Sequence, residues 1–209
     1  QNDIPANSTS EVNATYNLDA SSTAGIDTQE ATVLDANGDE QTVSYHYSNS
    51  FTTYDSLGNE RIVTIYFNKQ NDNQWNAQVT LDGVRAGNDN DFQLGFDSNG
   101  ALNTNQDGDI IGITGNSGND TDSATLNFGT GDGYVLDGAE DLTFDFSLKG
   151  TTQYNNSSVQ NTLTQDGYTS GSLAGLEITN DGRVIRLFTN EERRDAGQIV
   201  LANFANVEG

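Results

Sequence analysis

The chain has 209 residues, room for one large or two small domains, with 33% hydrophobic residues and 9 Phe, 8 Tyr and 1 Trp to fill a core. Its 31 acidic residues against 8 basic ones give a net charge of −23, which excludes nucleic acid and anionic membrane surfaces as partners, because phosphate binding depends on Lys and Arg. With no Cys there are no disulfides, thiol nucleophiles or thiolate metal sites, and no run of about 18 apolar residues is present to insert into a bilayer. No charged and then apolar N-terminal segment resembles a secretory signal, and with no Met anywhere the chain is expected to be a piece of something longer.

Residues 1–10 are polar, contain the only proline, Pro5, and predict an extended lead-in. In residues 11–18 (EVNATYNL), Val12, Ala14, Tyr16 and Leu18 alternate, which predicts a first strand. Residues 19–40 are Ser, Thr, Asp and Gly, with one apolar pair, Val33-Leu34, ahead of the turn Asp35-Ala36-Asn37-Gly38-Asp39, and they specify little. Residues 51–67 (FTTYDSLGNERIVTIYF) form the clearest hairpin signal, two β-branched and aromatic runs joined by Asp55-Ser56-Leu57-Gly58-Asn59. Val63, Ile65 and Phe67 fall on one face there, and Gly58 and Asn59 tolerate the positive φ of a reversal. Further short strands are predicted at 74–81, where Trp75, Ala77, Val79 and Leu81 are in step, and at 92–96, 110–113, 124–128 and 142–148. Such strands, bounded by Gly, Asn and Asp with no competing helical period, indicate an all-β chain, an antiparallel barrel or flattened barrel.

A composition shift near residue 152 suggests a boundary. The first 152 residues hold 24 acidic and 4 basic side chains, a net of −20, whereas residues 153–209 hold 7 acidic residues and 4 Arg, a net of −3. The expected division is a lead-in at 1–10, a barrel at 11–152 and a smaller β-rich domain at 153–209. Strands in the last part are predicted at 172–179, 184–189 and 198–204, the first two joined by the hairpin signal Asn180-Asp181-Gly182.

Chemical sites are weakly supported by the residues themselves. The paired carboxylates Glu140-Asp141 and Glu191-Glu192 fit a solvated acidic surface better than a cleft with a raised pKa. His46, the only histidine, alternates as a solvent-facing strand residue in Ser44-Tyr45-His46-Tyr47 and has no nucleophile elbow near it. The segment Asn103-Thr104-Asn105-Gln106-Asp107-Gly108-Asp109 spaces its oxygens as a calcium loop would, but Thr114 stands where a bidentate Glu is needed. Gly129-Thr130-Gly131-Asp132-Gly133 lacks the Lys of a phosphate loop. No catalytic residue, metal ligand or cofactor is therefore expected, and the chain reads as a protein without enzymatic activity.

Three blocks resemble the middle portion of bacterial flagellar hook proteins. Tyr54, Asp55, Gly58 and Asn59, with Trp75 in Asn73-Gln74-Trp75, are similar to the opening strands of that family's outer domain. Gln165, Gly167, Tyr168 and Gly171, within Gln165-Asp166-Gly167-Tyr168-Thr169-Ser170-Gly171-Ser172-Leu173, resemble the family's return into the inner domain. Gly197, Gln198, Asn203 and Phe204, within residues 197–206, resemble a signature shared by hook and related axial proteins. Where many hook proteins read Tyr-Ser-Asn-Gly, this chain has Phe188-Thr189-Asn190-Glu191, and the family's terminal helical segments do not occur in it. The resemblance implies an outer β-barrel domain, part of a β-rich inner domain, and an extracellular structural subunit of the hook, exported without a cleaved signal. Its implied partners are other copies of itself in a helical tube, together with rod, hook-cap and hook-filament junction proteins; the fragment alone would be monomeric. A competing reading is a calcium-dependent adhesin-like or surface-array β module.

Overall fold

The computed structural model describes residues 3–115 and 120–199. The chain divides into two compact units, one formed by Asn7–Tyr168 and the other by Gln1–Ala6 with Thr169–Gly209. The family of strands is as the composition suggested, but the division falls sixteen residues beyond 152, because backbone pairing and not charge decides where a unit closes.

In the larger unit the strands are β1 (Glu11–Asp19), β2 (Gln29–Leu34), β3 (Glu40–Tyr45), β4 (Tyr47–Tyr54), β5 (Glu60–Asn71), β6 (Gln74–Leu81) and β7 (Phe92–Gly95). They are followed by β8 (Ile113–Gly115), β9 (Asp120–Thr121), β10 (Ser123–Phe128), β11 (Leu142–Ser147), β12 (Thr152–Tyr154) and β13 (Val159–Gln165). β4 to β9 form a six-stranded antiparallel meander in chain order, and β2 pairs with β3 as a separate hairpin. The remaining sheet runs β10-β11-β1-β12, with β13 antiparallel to β1.

The chain is all-β, yet two pairings of β1, to β11 and to β12, are parallel. Those partners lie more than a hundred residues downstream, so the alternation within β1 cannot disclose them. Lying between other strands, β1 buries Val12, Ala14, Tyr16 and Leu18 and also half-covers its other face, where Asn17 is 8% exposed.

β5 shows why the hairpin signal was so clear. Val63, Ile65 and Phe67 are each 0% exposed on its inner side, and the registers Phe51↔Val63↔Leu81 and Asn49↔Ile65↔Val79 carry that inner row across three strands. These side chains meet Tyr16, Leu18, Phe128, Phe144 and Phe146 of the other sheet in one core. Phe51 stacks on Phe146 at 5.6 Å between centroids, and Phe128 meets Tyr134 edge-on at 5.1 Å, arrangements that add to plain area burial.

The smaller unit is a three-stranded antiparallel sheet of β14 (Leu173–Ile178), β15 (Arg183–Phe188) and β16 (Arg193–Gln198). β14 and β15 lie where the sequence predicts strands. The third strand predicted, at 198–204, lies outside the described residues except for its first two; the partner of β15 is β16, whose charged Arg193, Arg194 and Asp195 hide its character.

Candidate functional site

Two polar clusters gather the residues that the sequence singles out in the larger unit, Trp75 excepted. The first is the β4–β5 turn. Asp55 is 0% exposed, and its carboxylate accepts hydrogen bonds from the N–H groups of Leu57 at 3.0 Å and Asn59 at 2.9 Å, from Asn59 Nδ2 at 3.0 Å and from Arg61 Nε at 3.0 Å. Burial works against its charge, but the Asn59, Arg61 and Leu57 donors outweigh it and hold the carboxyl below the usual carboxylate range. Gly58 sits at φ +82° and donates to Asp55 O at 2.9 Å, closing the reversal. Arg61, which the sequence did not single out, extends the cluster: it reaches Asp82 at 3.2 Å, Asp137 at 3.4 Å and Val135 O at 3.4 Å, joining three separate turns.

The second cluster is a clasp where the chain enters and leaves this unit. Tyr54 N–H donates to Thr9 Oγ1 at 2.9 Å, and Tyr54 O accepts from Thr9 N–H at 2.9 Å. Thr9 Oγ1 in turn donates to Gln165 Oε1 at 2.9 Å. Gln165 also folds back on Gly167, accepting from its N–H at 2.6 Å and donating to its carbonyl at 2.9 Å. A Cβ at Gly167 would meet Thr9 Oγ1 at 2.2 Å and Thr9 N at 2.8 Å, so close approach of the two segments requires glycine there. Asn7 and Tyr168 exchange backbone hydrogen bonds at 2.8 and 2.9 Å.

Asp166, missed in the sequence except as a neighbour, locks the same place by accepting from Ser10 N–H at 2.8 Å, Ser10 Oγ at 2.5 Å and Glu11 N–H at 3.0 Å. Partial burial opposes its charge, yet the Ser10 and Glu11 donors keep its carboxyl below the ordinary range. An Asp beside Gly in a strand-ending position was the available signal.

Trp75 stands apart from both clusters in the core of the larger unit. It is 0% exposed, and its Nε1 donates to Gln153 Oε1 at 2.5 Å, with Gln153 Nε2 passed on to Asn73 Oδ1 at 2.8 Å. In the smaller unit Gly171 pairs with Ile4, and a Cβ there would meet Asn190 Oδ1 at 2.5 Å. Gly197 and Gln198 end β16, Gln198 Nε2 donating to Asp181 O at 3.1 Å. Asn203 and Phe204 lie outside the described residues.

Both clusters fasten separate chain segments to one another. Among the described residues no three His, Asp or Glu side chains converge as metal ligands. Two side chains of the calcium-like segment are engaged in a turn: Asn105 Oδ1 accepts from the N–H groups of Asp107 at 3.0 Å and Asp109 at 2.9 Å, and Asn105 Nδ2 donates to the Asp109 carboxylate at 3.1 Å. His46 is half-buried and bends the chain between β3 and β4, in place of the solvent-facing position that alternation predicts.

Comparison with known proteins adds three findings. Residues 7–168 match the family model described as the flagellar basal body protein FlaE D2 domain. The chain is 34% identical over 171 residues to the flagellar hook protein FlgE of Salmonella typhimurium and 35% identical over 170 residues to that of Escherichia coli K12, in each case covering 79% of this chain and 37% of the relative. It thus spans little more than a third of the length of these relatives. In fold it is similar to the crystal structure of the Helicobacter pylori flagellar hook protein FlgE2, with a TM-score of 0.59 at 11% identity, covering 94% of this chain and 67% of that one.

Proposed function

The chain belongs to the flagellar hook protein family through its FlaE D2 domain, and from that membership we propose that it is part of a structural subunit of the bacterial flagellar hook, the tubular joint that passes motor torque to the filament. The observation that carries this reading is a coincidence of limits: the family match covers residues 7–168, and the larger compact unit is Asn7–Tyr168, fastened at those ends by the Thr9, Gln165 and Asp166 clasp. On this reading the larger unit is the outer domain and the smaller one belongs to the inner domain. The working partners are further copies of the same subunit in the tube and, at its two ends, rod, hook-cap and junction proteins. The location is extracellular, and the role is mechanical, with no catalysed reaction.

Mechanics explains the polar character of the fastenings. A tube that bends as it rotates loads each subunit along its length, and the places where one unit opens into the next chain segment bear that load. The part-buried hydrogen bonds that join Thr9, Tyr54, Gln165 and Gly167 resist opening because breaking them leaves partly desolvated donors and acceptors. Immunogold labelling of isolated hook–basal body particles with antibodies raised against residues 7–168 tests the assignment. Label along the curved tube is expected, and label restricted to the rod or the filament would overturn it.

A further inference from the structure

His46, the single histidine, stands where β4 stops pairing with β5. Its N–H donates to Phe67 O at 2.8 Å, and Tyr47↔Phe67 is the last registered pair of those strands. Two residues further along β5, the Lys69 N–H donates to His46 Nδ1 at 3.2 Å, so the imidazole replaces the strand that has ended. An accepting Nδ1 leaves the ring proton on Nε2, and Nε2 lies 3.0 Å from Thr23 O and 3.1 Å from Ile26 O in the loop between β1 and β2. The ring also meets Trp75 edge-on at 5.8 Å between centroids. Besides these contacts the loop is tied down at its start, by Lys69 Nζ to Ala20 O at 2.6 Å, by Ala20 N–H to Tyr154 O at 3.0 Å, and by the Ser21 and Ser22 N–H groups to Asp19 Oδ1 at 2.8 Å and Asp19 O at 3.1 Å.

We propose that His46 is a proton-operated latch on the loop of residues 20–27, holding Thr23 and Ile26 when neutral and releasing them when protonated. A neutral ring accepts from Lys69 and donates to the loop at once. An imidazolium has two donors, so its Nδ1–H would confront the Lys69 N–H; the amide loses its acceptor and the repelled ring turns away from that strand. Turning carries Nε2 off the loop carbonyls. The charged groups around the ring divide in their influence. Lys69, on β5, disfavours a second cation, whereas Asp19 at the end of β1 and Asp27 in the loop line the same cavity as His46 and favour it. Asp72, in the turn after β5, lines the adjoining cavity with Lys69, and Trp75 on β6 is uncharged. With Ile26 already 55% exposed, little apolar burial opposes release.

This inference is independent of the hook assignment and is tested on the 209-residue chain itself. Ring nitrogen shifts at about pH 7.5 should report a proton on Nε2, and amide exchange should be followed down to about pH 5, across the range in which an imidazole titrates. After correction for intrinsic rates, exchange at Lys69 and in residues 20–27 is expected to rise about tenfold per pH unit below the midpoint, while Val63 and Ile65 stay protected. His46→Phe, which keeps an aromatic ring against Trp75 but offers no acceptor, should exchange fast at these amides at every pH. A proton on Nδ1 at neutral pH, or exchange that stays flat while the ring titrates, would overturn the proposal.

Discussion

Arg61 draws carboxylates from three turns onto one guanidinium. Its side chain is 9% exposed, that of Asp55 is 0% exposed, while those of Asp82 and Asp137 are 39% and 71% exposed, so the pair with Asp55 carries most of the energetic weight; exposed ion pairs contribute little. Arg61→Met would keep the apolar stem but strand the Asp55 charge in the interior. Loss of about 3–5 kcal/mol is expected in urea denaturation, the range for breaking a buried pair from one side, and a loss under about 1 kcal/mol would show that Asp55 is held by its turn alone. Glu191 poses the opposite case. It has φ +67° in the turn closed by Phe188 N–H to Glu192 O at 3.0 Å and Glu191 N–H to Phe188 O at 3.1 Å, a conformation that costs a residue with a Cβ about 1–2 kcal/mol. Glu191→Gly should relieve part of that strain and slow amide exchange in the β15–β16 hairpin, and unchanged or faster exchange would mean that the Glu side chain repays the strain by a contact of its own.

At the scale of elements, one reversal recurs. Turns starting at Asp35, Asp55, Asp97 and Asn105 share the same hydrogen bonds: the first residue's N–H donates to the carbonyl four residues on, the fourth residue's N–H donates back, and the first side chain accepts from the second and fourth amides that follow it. Thr179 begins a fifth copy, its hydroxyl accepting from Arg183 N–H at 3.2 Å. In each of these five the fourth residue is a glycine of positive φ. The carboxylate in this position is held below its ordinary range, at Asp35 by the Asp39 and Asn37 amides and at Asp97 by the Ala101 and Asn99 amides.

Carboxyls with lowered folded-state pKa contribute stability that is present above their unfolded value, about 3.9, and is lost as pH falls through the folded value. Melting temperature should therefore be nearly flat from neutral pH down to about pH 5 and fall steeply below about pH 4. Asp55→Asn, which keeps an acceptor but not the charge, should melt lower than the parent at neutral pH and approach it in acid. A constant gap across the series would mean that the charge of Asp55 is not what the turn and Arg61 recognise.

At the scale of the whole chain, the elements legible in the sequence were those with one wet and one dry face. β5 and β6 alternate cleanly, and so their strands, turn and inner rows followed from the residues. β13 (VQNTLTQ) and β12 (TQY) are mostly polar and carry no apolar alternation, and their pairing with β1 makes them strands. No periodicity could reveal that, nor the parallel direction of β11 and β12, nor that the clasp residues 165–168 close the unit begun at Asn7. His46 was misplaced because Tyr45 and Tyr47 suggest unbroken alternation, whereas the chain bends at the residue between them. The motif positions at Asp55, Gly58, Gln165 and Gly167 were legible through resemblance, and their physical roles, a buried acceptor, a left-handed turn, a folded amide and a contact too close for a Cβ, came only from the structure.

The claim that this chain belongs to a hook subunit is tested most directly by deleting the parent gene and examining the cells and their isolated basal bodies by electron microscopy. The account predicts basal bodies with rods but neither hooks nor filaments, restored by the intact gene; normal hooks and filaments in the deletion strain would contradict it.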